Sequence, residues 1–147
     1  MAHYIDNDRL YASVKLYVDA YKEAEEKETQ KPRIPEYIGE AILKIAEGLG
    51  SRPNFSGYSY KDEMIMDGVM DCLKYIHNYN YEKYPKPFSY INRIIWQAFV
   101  RRIDKEKKQQ YIKYKSMYRD INLVLPMDIE KDIRNKIEAF EGKKKKD

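Results

Sequence analysis

Apolar residues recur every three or four positions along most of the chain, which is the spacing that places side chains on one face of an α-helix. Five segments follow this pattern, at residues 10–21, 38–49, 64–76, 88–103 and 129–137. The six prolines lie outside these segments, and no stretch of useful length alternates as a β-strand does. The pattern predicts an all-α fold with one core and about five helices.

The fourth segment predicts an unusually long helix. From Phe88 onwards the chain has neither glycine nor proline until Pro126. A helix from Phe88 to Arg119 would be about 45 to 50 Å long at 1.5 Å per residue, and the sequence leaves open a bend near residues 107–110. After Pro126 we expect a short helix and then a frayed tail at residues 142–147.

Positive charge is concentrated in one part of the chain. The whole sequence has 28 basic and 24 acidic residues among its 147, a net charge of +4. Residues 101–119 alone hold eight basic and two acidic residues, which is a net charge of +6. The protein as a whole is therefore not a polycation, but this segment predicts a local surface that binds a polyanion.

Cysteine content and hydropathy limit the compartment. Cys72 is the single cysteine, so the chain forms no internal disulfide and no zinc module built on several thiols. The first eight residues carry charge, and no run of 18 apolar residues occurs anywhere. We expect a cytoplasmic protein without a membrane partner.

Three carboxylates are spaced for one side of the third predicted helix. Glu63, Asp67 and Asp71 lie four residues apart. Such a row could hold magnesium, but a catalytic site needs further ligands from other elements, and no second carboxylate cluster is evident. The row is a solvated face, a docking face for a basic partner or, least favoured, the site of a metal-dependent nuclease. Because the motifs of nucleophilic and nucleotide-dependent enzymes are also absent, we expect no enzyme, no metal and no cofactor.

Aromatic and basic residues are interleaved in and after the fourth segment. They are Trp96, Phe99, Arg101, Arg102, Lys105, Lys107, Lys108, Tyr111, Tyr114 and Tyr118. Cations neutralise phosphates, and aromatic rings stack on exposed bases. The alternative is that Trp96 and Phe99 belong to the core and that the basic run is a solvated helix face.

The order of these features resembles conserved region 2 of bacterial sigma factors, and more closely the late-transcription sigma factors of T4-type bacteriophages. The likeness covers residues 38–110. It is carried by Ile45–Leu49, Asn54–Tyr58, Glu63–Gly68, Leu73-Lys74, Phe88–Ile91 and Ala98–Ile103.

The resemblance implies two binding surfaces on a compact helical domain. In sigma region 2 an acidic helix docks on the clamp helices of the largest polymerase subunit, and the matching positions here are Glu63, Met66, Asp67 and Met70. The following helix holds the melted strand of an AT-rich −10 element, and its matching segment here is 88–102. With the basic run, the expected DNA contacts are Phe88, Tyr90, Trp96, Phe99, Arg101, Arg102, Lys105, Lys107, Lys108, Tyr111 and Tyr114.

The chain departs from the family pattern in three places. The tandem tryptophans of housekeeping sigma factors fall on Ile94 and Ile95, and Trp96 is displaced from them. No helix-turn-helix for a −35 element is evident after residue 120. The end of the chain, 142–147, is rich in lysine where the phage proteins have a hydrophobic and acidic tail that binds a sliding clamp.

These observations predict a non-enzymatic sigma factor for phage late transcription. Its expected partners are core RNA polymerase, promoter DNA and a phage coactivator, in the cytoplasm of a bacterial host. The expected segments are an N-terminal helix and linker (1–34), the polymerase- and promoter-binding domain (35–120) and a short C-terminal helix with a basic tail (121–147). A stand-alone helical DNA- or RNA-binding regulator is the main alternative.

Overall fold

The computed structural model describes residues 5–120 and 127–146, without the side chains of residues 118, 120, 127–130 and 143–146. Six α-helices lie in these ranges. They are α1 (Asn7–Glu26), α2 (Glu36–Gly50), α3 (Pro53–Ser56), α4 (Lys61–Tyr75), α5 (Pro87–Asp120) and α6 (Met127–Lys146). A 3₁₀ turn, Ile76–Asn78, follows α4, and the described ranges contain no strand. The predicted all-α fold is confirmed.

The chain divides into two units, residues 1–100 and residues 101–147. Within the second unit, the second half of α5 packs against α6 through the rings of Tyr111 and Phe140. Charge follows the same division. The first unit has 13 basic and 15 acidic residues, a net charge of −2, whereas the second has 15 basic and nine acidic residues, a net charge of +6.

Helices α1 to α4 and the start of α5 bury the apolar faces that the spacing predicts. Helix α2 packs against α1 and α4, and α1 also contacts the 3₁₀ turn. Asp6 caps α1, since its Oδ1 accepts a hydrogen bond from the backbone N–H of Arg9 at 3.1 Å. The largest completely buried side chains are Leu10, Val14, Val18, Ile38, Ile42, Ile45, Met64, Ile76, Tyr79, Ile91, Ile95 and Phe99.

Gly68 allows α4 and α5 to approach closely. A Cβ atom at Gly68 would lie 2.9 Å from Cγ2 of Ile95 and 3.1 Å from Cε1 of Phe99. Both neighbours are completely buried, so neither can move into solvent. The two helices are therefore in contact at a position where only glycine fits without a shift.

Helix α5 begins at Pro87, where the fixed φ and missing N–H of proline suit the first turn. It is 34 residues long, about 51 Å at 1.5 Å per residue, and continues without a break through residues 107–110.

Two local expectations are corrected. The stretch after α2 lies outside the five predicted helical segments, but it contains the short helix α3, whose Phe55 is buried edge-on against Trp96 and Phe99. Helix α6 is 20 residues long and continues through Gly142 to Lys146, so the expected short helix and frayed tail are not observed.

Candidate protein- and nucleic-acid-binding surfaces

The four residues expected to dock on polymerase share the outer face of α4. The buried positions Met64, Gly68 and Cys72 lie four residues apart on the opposite side of this helix. Met66 and Met70 are consequently exposed, with 58% and 59% of their surface accessible. Glu63 is exposed beside them, and Asp67 is half-buried at the edge of the same face. We call Glu63, Met66, Asp67 and Met70 the α4 face.

The chemistry of the α4 face suits a protein partner. Two unbranched thioether side chains one turn apart form an adaptable apolar surface. The adjacent carboxylates add negative charge along one edge. Asp67 and Asp71 each already interact with another group in the structure. Within residues 5–120 and 127–146 no group of three His, Cys, Asp or Glu side chains converges as a metal site would require.

A groove of about 420 Å³ lies along the first half of α5. It is lined by Tyr84, Lys86, Ser89, Tyr90, Arg93, Ile94 and Gln97. Ser89, Arg93 and Gln97 follow one another at intervals of four, which places them on one polar side of the helix. We call this the α5 groove. Aromatic rings, two cations and hydrogen-bonding groups in one concave site are what a nucleotide needs for stacking and phosphate contact.

Tyr90 is held in position at the edge of the α5 groove. Its Oη donates a hydrogen bond to the backbone carbonyl of Tyr75 at 3.2 Å, and its ring packs on Tyr79 with the ring centroids 5.0 Å apart. Burial, and then the neighbouring Cys72, raise the pKa of the Tyr90 phenol, so the group stays neutral and able to donate. Phe88, another expected DNA contact, is half-buried and does not line the groove.

Trp96 and Phe99 have different environments, although both were expected to contact DNA. The Trp96 side chain is 40% exposed and rests edge-on against Phe55, with the ring centroids 5.0 Å apart. Phe99 is completely buried between Phe55 and Gly68. A base cannot reach this ring, so its assignment as a DNA contact is corrected to a core position.

A basic stripe runs along α5 in the second unit. Arg101, Lys105 and Lys108 are exposed and lie on one side of the helix, with the 53% exposed Ile112 continuing the line. Arg102 lies off this line and pairs with Glu106 at 3.2 Å. Arg101, Lys105 and Lys108 thus form a row of cations of the kind that follows a phosphate backbone.

Two further expected DNA contacts, Tyr111 and Tyr114, pack against α6. The Tyr111 ring stacks on Phe140 with centroids 4.5 Å apart, and its Oη donates to the Glu141 carboxylate at 2.6 Å. The Tyr114 hydroxyl accepts a hydrogen bond from Lys136 at 3.1 Å. Lys107 lies beside these two tyrosines. The side chain of Tyr118 is outside the described residues.

Several surface residues were missed from the sequence. Tyr84, Arg93 and Gln97 line the α5 groove together with the expected Tyr90. The interval of four residues between Arg93 and Gln97 was the available signal, whereas Tyr84 precedes the helix and no periodicity would have placed it there.

Among the described helices, none is both long and apolar enough to cross a membrane. No protein-family model matches the chain, and a search of curated proteins finds no match.

Proposed function

We propose that this protein is a sigma-type factor for phage late transcription, which binds core RNA polymerase and opens a −10-type promoter element. The observation that carries the proposal is the contact between α4 and α5 at Gly68. This contact joins the α4 face, which has exposed methionines beside carboxylates, to the helix that carries Trp96 and the α5 groove. One packed pair of helices thereby presents a protein-docking surface and a nucleotide-binding surface.

The proposed mechanism needs no catalytic residue. The α4 face holds the protein on the clamp helices of the largest polymerase subunit, and the polymerase makes the bonds. Opening the promoter costs a few kcal/mol for each base that leaves the stack. Stacking of the separated bases on Trp96 and in the α5 groove stabilises the open state by about 1 to 3 kcal/mol per base, and the basic stripe contacts phosphates. These gains exist only when the strands are separated, so they favour the open complex.

The direct test is run-off transcription from promoters that have a −10 element alone. Bacterial core polymerase is used with and without the full chain, and the proposal expects a specific transcript only when the protein is present. Absence of a transcript from every such promoter, despite stable binding to the polymerase, would refute promoter recognition.

The docking step has its own matched variants. Met70→Lys places a positive charge at an apolar position of the α4 face, and Leu16→Lys makes the same kind of change at a 72% exposed position on α1. Capture of core polymerase by immobilised protein should fall at least about tenfold for Met70→Lys, because a buried apolar contact worth 1.5 to 3 kcal/mol is lost. Leu16→Lys should bind as the wild type does. Equal binding by both variants would remove the α4 face from the interface.

The basic stripe also supports a second candidate, a stand-alone nucleic-acid-binding regulator. A regulator of this kind would bind DNA or RNA but would not capture core polymerase. The same capture experiment therefore distinguishes the two functions.

A further inference from the structure

The second unit contains a groove that the proposed function does not use. It lies between the C-terminal half of α5 and α6, has a volume of about 290 Å³, and is lined by Lys107, Gln110, Tyr111, Tyr114, Lys136, Ala139 and Phe140. We call it the α5–α6 groove. Three aromatic rings and Ala139 form its apolar walls, and the lining residues that the structure describes include two lysines and no carboxylate.

Hydrogen bonds and ring packing hold the walls of this groove in place. Glu141 accepts from both the Tyr111 hydroxyl at 2.6 Å and the Lys115 ammonium at 3.3 Å, and Lys115 also donates to Tyr111 at 3.0 Å. On the other side, Lys136 bridges the Tyr114 hydroxyl and the Asp132 carboxylate. The groove is therefore formed before any partner arrives, which reduces the entropy lost on binding.

Lys107 supplies positive charge that is not already neutralised. It is exposed and takes part in no hydrogen bond or ion pair within the described part of the chain. Lys136, in contrast, shares its charge with Asp132 at 3.4 Å. The unit as a whole has a net charge of +6. An occupant should thus be negatively charged, with its carboxylates nearest to Lys107.

The apolar walls favour a peptide over a nucleic acid. Tyr111 and Phe140 stack on each other with an interplanar angle of 19°, so no base can enter between their rings. A volume of about 290 Å³ is small for a ligand site and suits one bulky apolar side chain. The basic stripe lies at other positions of α5, and its line of cations is better suited to a phosphate backbone.

We infer that the α5–α6 groove binds an acidic peptide segment of a partner protein through one buried aromatic or large aliphatic side chain. Lys107, Tyr111 and Tyr114, which the sequence assigned to DNA, then contact this peptide. The inference does not depend on the sigma-type function, because the groove lies in a unit separate from the α4 face and the α5 groove.

The test measures fluorescence anisotropy of a labelled peptide of aspartate and glutamate with a central phenylalanine, titrated with the full chain. A second peptide has serine in place of the phenylalanine and the same charge. Burial of the ring should make the first peptide bind about tenfold or more tightly than the second. Equal binding of the two peptides would show attraction by charge alone and would overturn the inference.

Protein variants locate the binding site. Ala139→Met fills the groove without removing charge and should weaken binding of the phenylalanine peptide about tenfold. Lys107→Gln should weaken both peptides by about twofold to fivefold, whereas Lys113→Gln, an equal charge change outside the groove, should have a smaller effect. Equal effects of the two lysine changes would contradict a local role for Lys107. Circular dichroism verifies that each variant retains its helices.

The same variants also test two other possible occupants of the groove, a nucleic acid and a second copy of the chain. If Ala139→Met weakens binding of a labelled oligonucleotide as much as it weakens the peptide, the groove holds nucleic acid and the inference is wrong. If the wild type self-associates in sedimentation velocity and Ala139→Met does not, the occupant is a second copy of the chain, which also refutes it. Run-off transcription by Ala139→Met should equal that of the wild type, so failure of the groove and failure of the proposed function are distinguishable.

Discussion

Replacing Gly68 by alanine tests whether the contact between α4 and α5 is as close as the structure shows. The new methyl group would lie 2.9 Å from Cγ2 of Ile95 and 3.1 Å from Cε1 of Phe99. Both distances are shorter than ordinary van der Waals contact, and both neighbours are fully buried. Relief therefore requires α4 and α5 to separate slightly or Phe99 to leave its preferred rotamer.

The expected loss of stability follows from two opposing effects. Overpacking of a core costs about 1 to 3 kcal/mol. Alanine is better than glycine in a helix by about 1 kcal/mol, which offsets part of this cost. We expect Gly68→Ala to lower the free energy of unfolding by about 1 kcal/mol, and a unit of 100 residues would then melt about 4 to 8 °C lower.

Gly39 in α2 provides the matched control. It is also within a helix, but apart from the adjacent residues and backbone of α2 itself no atom lies within 4 Å of a Cβ at this position. Gly39→Ala should therefore gain up to about 1 kcal/mol from helix propensity alone. Urea denaturation followed by circular dichroism measures both variants. If Gly68→Ala is as stable as Gly39→Ala, the close approach of α4 and α5 is refuted.

Three further predictions concern the surfaces and the core. Trp96→Ala should slow promoter opening, seen as weaker permanganate reactivity of −10 thymines, and a pre-melted template should restore transcription. If transcription is lost equally on both templates and the melting temperature falls, the role of Trp96 is instead to pack against Phe55 in the folded protein. Binding of DNA to the isolated chain should show a slope of log K against log salt near −5 if about six phosphates are engaged, and replacing both Lys105 and Lys108 by glutamine should reduce the slope by about 2; an unchanged slope would exclude the basic stripe. Burial raises the pKa of Tyr79 to about 12, whereas a tyrosine in the unfolded chain has a pKa near 10. The stabilisation that comes from burying the neutral phenol is therefore fully present below about pH 10. The free energy of unfolding should fall as the pH rises from about 10 to 12, by up to about 1.4 kcal/mol per pH unit. Tyr79→Phe should make this fall less steep in urea denaturation at a series of pH values, and an unchanged pH dependence would show that Tyr79 does not contribute to it.

Helix spacing was enough to determine which side of α4 faces the core. Met64, Gly68 and Cys72 share one face by their interval of four residues, which leaves Met66 and Met70 on the opposite face. The same argument predicted the buried residues of α2 and the all-α class. It works because periodicity is a property of a single helix, and burial of its apolar face stabilises the helix whatever the partner is.

Only the tertiary structure decided which neighbouring helix covers each side chain. Tyr111 and Tyr114 lie in a basic segment that looked accessible from the sequence, but α6 packs against both. Ile112 is apolar and yet 53% exposed, because no part of the chain that the structure describes covers its side of α5.

The environments of Phe99 and Trp96 also depended on residues distant in sequence. Phe55, in a helix of four residues too short to predict, covers Phe99 and supports the edge of Trp96. The α5 groove likewise combines Tyr84 from the preceding loop with Arg93 and Gln97 from α5. Hydrophobic spacing identifies an apolar or polar face, but burial requires a second surface, and the pairing of surfaces arises from packing of the whole chain.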